Sequence, residues 1–211
     1  MQNQKPLLFF LIFISVFGSS LSGQTVTRKN GESTKTFVER FKPSNSQPVD
    51  KIVKTRAWSH KNEAIICFYQ YQEMVDGETY PAIIGYLFWP LGRMKYHKIP
   101  IATFESDGGN PEIRSVFFDS VYGTTELIIL CAWPQLLHYD YSGTYYSAYL
   151  FKPPQDPKVQ SSLEQDKRWS SIFENQCDCA SRDGKIEHAR FTSSSKILAE
   201  IKRLTKPQPK T

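Results

Sequence analysis

Two groups of side chains in this chain have the types and spacing for chemistry. In the first, residues 134–144 (PQLLHYDYSGT) gather His138, Tyr139, Asp140, Tyr141 and Ser142 beside Trp133, with Tyr145 and Tyr146 following. Aromatic faces with polar groups at their edges suit stacking on a sugar ring or a peptide, because each ring offers a large contact area with a polar handle. Aromatics are also favoured in strands, where alternate side chains enter the core. Trp133, His138, Tyr139, Asp140, Tyr141 and Tyr145 are the candidate binding set. His138 and Asp140 are also acid/base candidates, since neutral imidazole and carboxylate exchange protons near neutral pH.

The second group is the four cysteines: Cys67, Cys131, Cys177 and Cys179. An oxidising compartment permits disulfides, and four thiols allow three pairings. Cys67 and Cys131 sit in apolar runs, where each could bridge or remain an inert buried thiol. Cys177-Asp-Cys179 lies in a polar stretch. Its thiols could close a small ring, hold a soft metal, or each reach elsewhere. A metal site needs further ligands, and His188 is the only one close in sequence. No metal and no cofactor are assigned.

Familiar catalytic patterns are missing. The chain has no Gly-x-Ser-x-Gly, no His-Glu-x-x-His, no phosphate-cradling glycine loop and no Cys-x-x-Cys. The histidines His60, His97, His138 and His188 are scattered and read as surface or turn residues. Nothing in the sequence pairs two acids in one pocket. No residue is assigned as catalytic.

The first 23 residues set the expected compartment. A short start with one Lys precedes an apolar core at residues 7–17, then a small polar segment at 18–23 with Ser20 and Ser22. That is the layout of a cleaved signal peptide, and the core is shorter than the ~20 residues a spanning helix needs. Residues 24–35 are expected to be a flexible mature N-terminus, 36–205 one globular domain, and 206–211 a disordered tail. Removing residues 1–23 lowers the net charge from +5 to +4, and residues 196–211 carry all of that excess. The body is neutral, which gives no reason to expect nucleic acid.

The elements that must position these groups follow from patterning. Residues 36–41 suit a short helix with Thr36 and Glu39 as a capping box, ended by Pro43. Extended segments follow at 51–58, 64–74, 79–89 and 93–104. Asp76-Gly77 marks a hairpin, and Pro100 marks an edge or bulge. Residues 112–153 read as three further strands. The middle one contains Leu127 to Trp133 without a polar break, the mark of a strand buried on both faces. Beyond Pro153 come a helix within 163–174, a short strand at 185–192 and a helix after Ser193–Ser195. The fold class is α+β: a mainly antiparallel, curved, meander-like sheet of about seven or eight strands, with a short N-terminal helix and C-terminal helices packed on it.

Residues 119–126, DSVYGTTE, resemble the calcium loops of integrin-type propeller repeats. Val121 and Gly123 stand where two oxygen ligands belong, so a hairpin turn through Gly123 is the better account. The series FFDS…ELIILCAWPQ…HYDYSGT, with the signal-like start, resembles small exported bacterial β-rich proteins of uncharacterised function. That resemblance implies export and a β-rich fold, and no activity.

The expected function is an exported, non-catalytic binding domain, periplasmic or extracellular. It would recognise a protein, or else a carbohydrate, through the aromatic rim, with no membrane span after signal cleavage. The alternatives are a secreted hydrolase around His138 and Asp140, and a structural envelope component that pairs through the edge strand at 51–58.

Overall fold

A strand apolar on both faces needs a layer on each side, and the structure supplies four layers. The computed structural model describes residues 24–59, 61–135 and 141–206. In chain order the elements are β1 (Gln24–Thr27), α1 (Thr34–Arg40), β2 (Gln47–Thr55), β3 (Ala64–Val75), β4 (Glu78–Pro90), β5 (Lys95–Phe104), β6 (Glu112–Val121), β7 (Thr124–Gln135), β8 (Tyr141–Phe151), α2 (Lys167–Phe173), β9 (Gln176–Ser181), β10 (Ile186–Glu187) and α3 (Ser194–Thr205). The strands form two five-stranded antiparallel sheets, ordered β1-β5-β4-β3-β2 and β10-β9-β8-β7-β6.

The expectation of one curved sheet with seven or eight strands is therefore corrected. The α+β class and antiparallel pairing stand, but ten strands divide between two sheets. The division falls at residues 105–111, between β5 and β6. There Gly109 packs so closely on β7 that a Cβ would lie 2.2 Å from the Pro134 carbonyl oxygen. The chain thus steps across to a second layer instead of pairing β6 with β5.

Alternation assigns each face. Ile66 and Phe68 of β3 and Leu87 of β4 meet Leu127, Ile129 and Cys131 of β7 in the layer between the sheets. On the opposite face of β3, Ile65, Cys67 and Tyr69 lie under Phe37 and Val38 of α1. The Phe37 and Phe88 rings are 5.2 Å apart, and the buried Tyr69 hydroxyl donates to the Val38 carbonyl at 2.6 Å. On the opposite face of β7, Ile128 and Leu130 lie under Trp169 and Phe173 of α2 and Ile197 and Ile201 of α3. β3 along Ala64–Tyr69 and β7 along Glu126–Trp133 are buried on both sides.

Local chemistry sets the element ends. The α1 cap is Ser33, whose hydroxyl accepts from the Thr36 amide at 3.1 Å. The capping residue thus lies three positions before the one expected, because the helix starts at Thr34. Asp166 caps α2 by accepting from the Trp169 amide at 3.1 Å. β9 pairs only residues 141–146 of β8. The far end of β8 is satisfied by α2 instead: Leu150 donates to the Ser170 hydroxyl, and its carbonyl accepts from the Asp166 amide. Residues 24–27, expected to lead in flexibly, pair with β5 and bury Val26. The register of β4 and β5 shifts beside Pro100, where an edge or a bulge was expected; β5 lies between β1 and β4, so it is a bulge and not an edge.

The edge strands β2 and β6 lie side by side. The Lys51 ammonium donates to the Ile113 and Arg114 carbonyls at 3.0 and 2.8 Å, and the Trp58 indole to the Thr125 carbonyl at 2.7 Å. A groove of about 610 Å³ runs between them. Among the described residues, no helix is long and apolar enough to cross a membrane.

Double-sided burial gives a direct test. Ile128→Ala and Ile129→Ala point to different layers, and each should cost about 2–5 kcal/mol in urea unfolding. A sheet with one wet face would leave one of the two within about 0.5 kcal/mol of wild type.

Candidate functional site

Cross-strand register carries the aromatic rim inward across one sheet. Trp133 of β7 stands opposite Tyr145 of β8, and Tyr145 opposite Cys177 of β9. Directly paired residues share a face, here the face turned toward the other sheet. Trp133 is only 4% exposed and its indole donates to the Glu105 carbonyl at 2.7 Å. Its ring therefore belongs to the inter-sheet core and ties the end of β5 to β7. Tyr145 is half-buried at the margin of that core.

Two hollows open along this margin. One, of about 420 Å³, lies between the end of β5 and β8, with Trp133, Tyr149, Glu105, Asp107 and Asn175 among its walls. Burial pushes the Tyr149 hydroxyl up to about 12, so it stays a neutral donor. Ser147, two residues along β8 from Tyr145, accepts from the Asn175 amide at 3.0 Å. The other hollow, about 280 Å³, lies over β9 and β10 and is walled by Tyr145, Cys177, Cys179, Asp183, Lys185 and Glu187.

His138, Tyr139 and Asp140 of the candidate set lie outside the described residues. Tyr141 begins β8, and its side chain lies outside them too. His60, the segment 1–23 and residues 207–211 are likewise outside.

The cysteines are resolved into two kinds. Cys177 and Cys179 form a disulfide. Cys67 and Cys131, the other disulfide candidates, are free and buried. They cannot pair across the fold because Cys67 faces α1 while Cys131 faces the inter-sheet layer. Burial pushes the Cys67 thiol up to about 12 and the Cys131 thiol well above its usual range. His188, exposed, sits 3.1 Å from Asp178. Among the described residues, no group of three or more His, Cys, Asp or Glu is placed to hold a metal ion.

Sequence reasoning missed two features. His97 is buried on the inner face of β5, 4% exposed, with neither ring nitrogen bonded to the protein. It follows the alternation of Ile99 and Ile101, so its type was misleading and its position was not. The second is an acid pair. Asp119 and Glu126 stand directly opposite each other on β6 and β7, each with a buried oxygen lacking a protein partner. Their pairing follows from the Tyr122-Gly123 turn, whose φ angles of +47° and +83° fix a two-residue hairpin. Counting outward from that turn brings 119 and 126 together.

Glu126 is 3% exposed. Burial pushes its carboxyl from 4.5 up to about 7; the nearby negative charge of Asp166 adds to the rise and Lys152 opposes it. The unfolded chain releases this proton at lower pH than the folded chain does. Stability from this group should be complete below pH ~4.5 and fall as pH rises toward 7, by roughly 2–3 kcal/mol. Glu126→Gln should flatten that part of the stability–pH curve in urea titrations. An unchanged slope would place the titrating group elsewhere.

Compared with known proteins, the chain matches no family model, no curated protein and no solved structure, so the site is read from its own geometry.

Proposed function

We propose that the chain is an exported, non-catalytic binding domain that receives a protein segment, or second to that a glycan, on the rim spanning Trp133 to Tyr146. The observation that carries this reading is the 420 Å³ hollow where Tyr149 stands among polar groups beside the buried Trp133. A hollow of this size suits one or two side chains or a single sugar ring. Trp133, locked by its bond to Glu105, makes a rigid floor, and Tyr149, Glu105, Asp107 and Asn175 supply donors and acceptors around it. Such pre-ordered walls lose little entropy on binding. The signal-peptide layout of residues 1–23 supports export, with the periplasm or the exterior as the place of action.

The test is a display screen of random peptides beside a glycan array, run with the chain lacking residues 1–23. Hits should weaken about tenfold with Tyr149→Phe and with Asp107→Asn, while the melting temperature changes little. Hits whose affinity ignores both substitutions would contradict this location.

A further inference from the structure

Cys177 and Cys179 are two residues apart on β9, and their bridge holds the Cα atoms at 5.4 Å. A regular strand separates such positions by about 6.5 Å. The bridge therefore draws β9 in, and Gly143 on β8 leaves the room: a Cβ there would lie 2.6 Å from the Cys179 Cα and 2.3 Å from the Asp178 carbonyl oxygen. With φ at +148°, that position also disfavours other residues.

As a staple the bridge does little. The entropy removed from the unfolded chain grows with the loop closed, and this loop is the three residues Cys-Asp-Cys. β9 is already paired by β8 on one side and β10 on the other. Cys177 is the accessible half of the bridge, while Cys179 is only 9% exposed. Cys177 is half-buried, and both cysteines line the 280 Å³ hollow together with Lys185, whose ammonium pairs with Glu187 at 2.5 Å. Cys67 and Cys131, by contrast, are sealed in the core.

We propose that Cys177–Cys179 is a thiol–disulfide exchange site for a peptide bearing two cysteine thiols. This goes beyond the binding reading and does not depend on it. One peptide thiolate attacks Cys177 Sγ, the more exposed sulfur. A peptide–Cys177 bond forms, the Cys177–Cys179 bond breaks, and its electron pair leaves on Cys179 Sγ as a thiolate at the wall of the hollow that Lys185 also lines. The second peptide thiolate then attacks the peptide sulfur of that mixed disulfide and expels Cys177 as a thiolate. The peptide is oxidised by two electrons to its disulfide, Cys177 and Cys179 become a dithiol, and the two protons given up by the peptide thiols end on the two protein thiols. Each oxidised chain acts once.

The experiment mixes the oxidised chain with an equimolar reduced dithiol peptide and maps thiols by mass. The expected result is peptide disulfide with new thiols at Cys177 and Cys179 and no change at Cys67 or Cys131. A bridge that stays intact while the peptide stays reduced would overturn the proposal. A second arm offers a mixed-disulfide peptide probe to Cys179→Ser and to Cys177→Ser. Capture should be at least about tenfold faster on Cys177 in the first variant than on Cys179 in the second; equal or reversed rates would overturn the assignment of Cys177. A third arm melts the double serine variant. An unchanged midpoint fits the proposal, and a large drop would mark the bridge as a structural staple and overturn it.

Discussion

The structure depends on the apolar layer between the two sheets. Leu127, Ile129 and Cys131 of β7 and Ile66 and Phe68 of β3 all point into it. Each fully buried side chain of this size contributes about 1.5–3 kcal/mol when removed from water. That layer alone would leave the outward faces of both sheets wet. The helices close them: α1 over one sheet, α2 and α3 over the other. The order sheet-against-sheet with helices outside follows from β3 and β7 each carrying apolar side chains on both faces. Each needs one strand-rich and one helical neighbour, and the chain has just enough helix to supply the outer pair.

The same packing sets where polar groups cost most. Glu126 lies on the helix-covered face of β7, in the alternation that otherwise holds Ile128 and Leu130. His97 occupies the equivalent anomaly on β5. An unpaired buried polar atom costs on the order of 1–3 kcal/mol, so both sites work against the stability the core provides. Asp119 and Gln135 each add one such oxygen, while other buried groups are satisfied. Lys51 and Trp58 span from one sheet edge to the other and satisfy carbonyls there, and Ser170 completes the backbone of β8 where β9 stops.

Much of this was legible in the sequence, for identifiable reasons. Asp76-Gly77 and Tyr122-Gly123 fix hairpins locally, so β3–β4 and β6–β7 could be read without tertiary knowledge. The unbroken run from Leu127 to Trp133 announced a strand buried on both faces. What it could not announce was the identity of the covers, since an apolar face looks the same under a helix or under a second sheet. That is why one curved sheet was expected where two stand. The short helices were placed within a few residues, with the α1 cap misplaced because Ser33 and Thr36 are both good caps. Within the candidate site, the face shared by Trp133 and Tyr145 became visible only with the register. The Cys177–Cys179 bridge was one of several open readings, decided by where β9 lies.

These placements meet in one arrangement of layers. Cys67 belongs to the α1 side of one sheet and Cys131 to the inter-sheet side of the other, while Cys177 and Cys179 stand together beside Tyr145. Disulfide mapping of the non-reduced protein, with thiols blocked before proteolysis, tests that arrangement most directly. The account predicts a Cys177–Cys179 link and blocked, unlinked Cys67 and Cys131. A Cys67–Cys131 bridge would require both side chains in one layer and would contradict the two-sheet architecture on which the site rests.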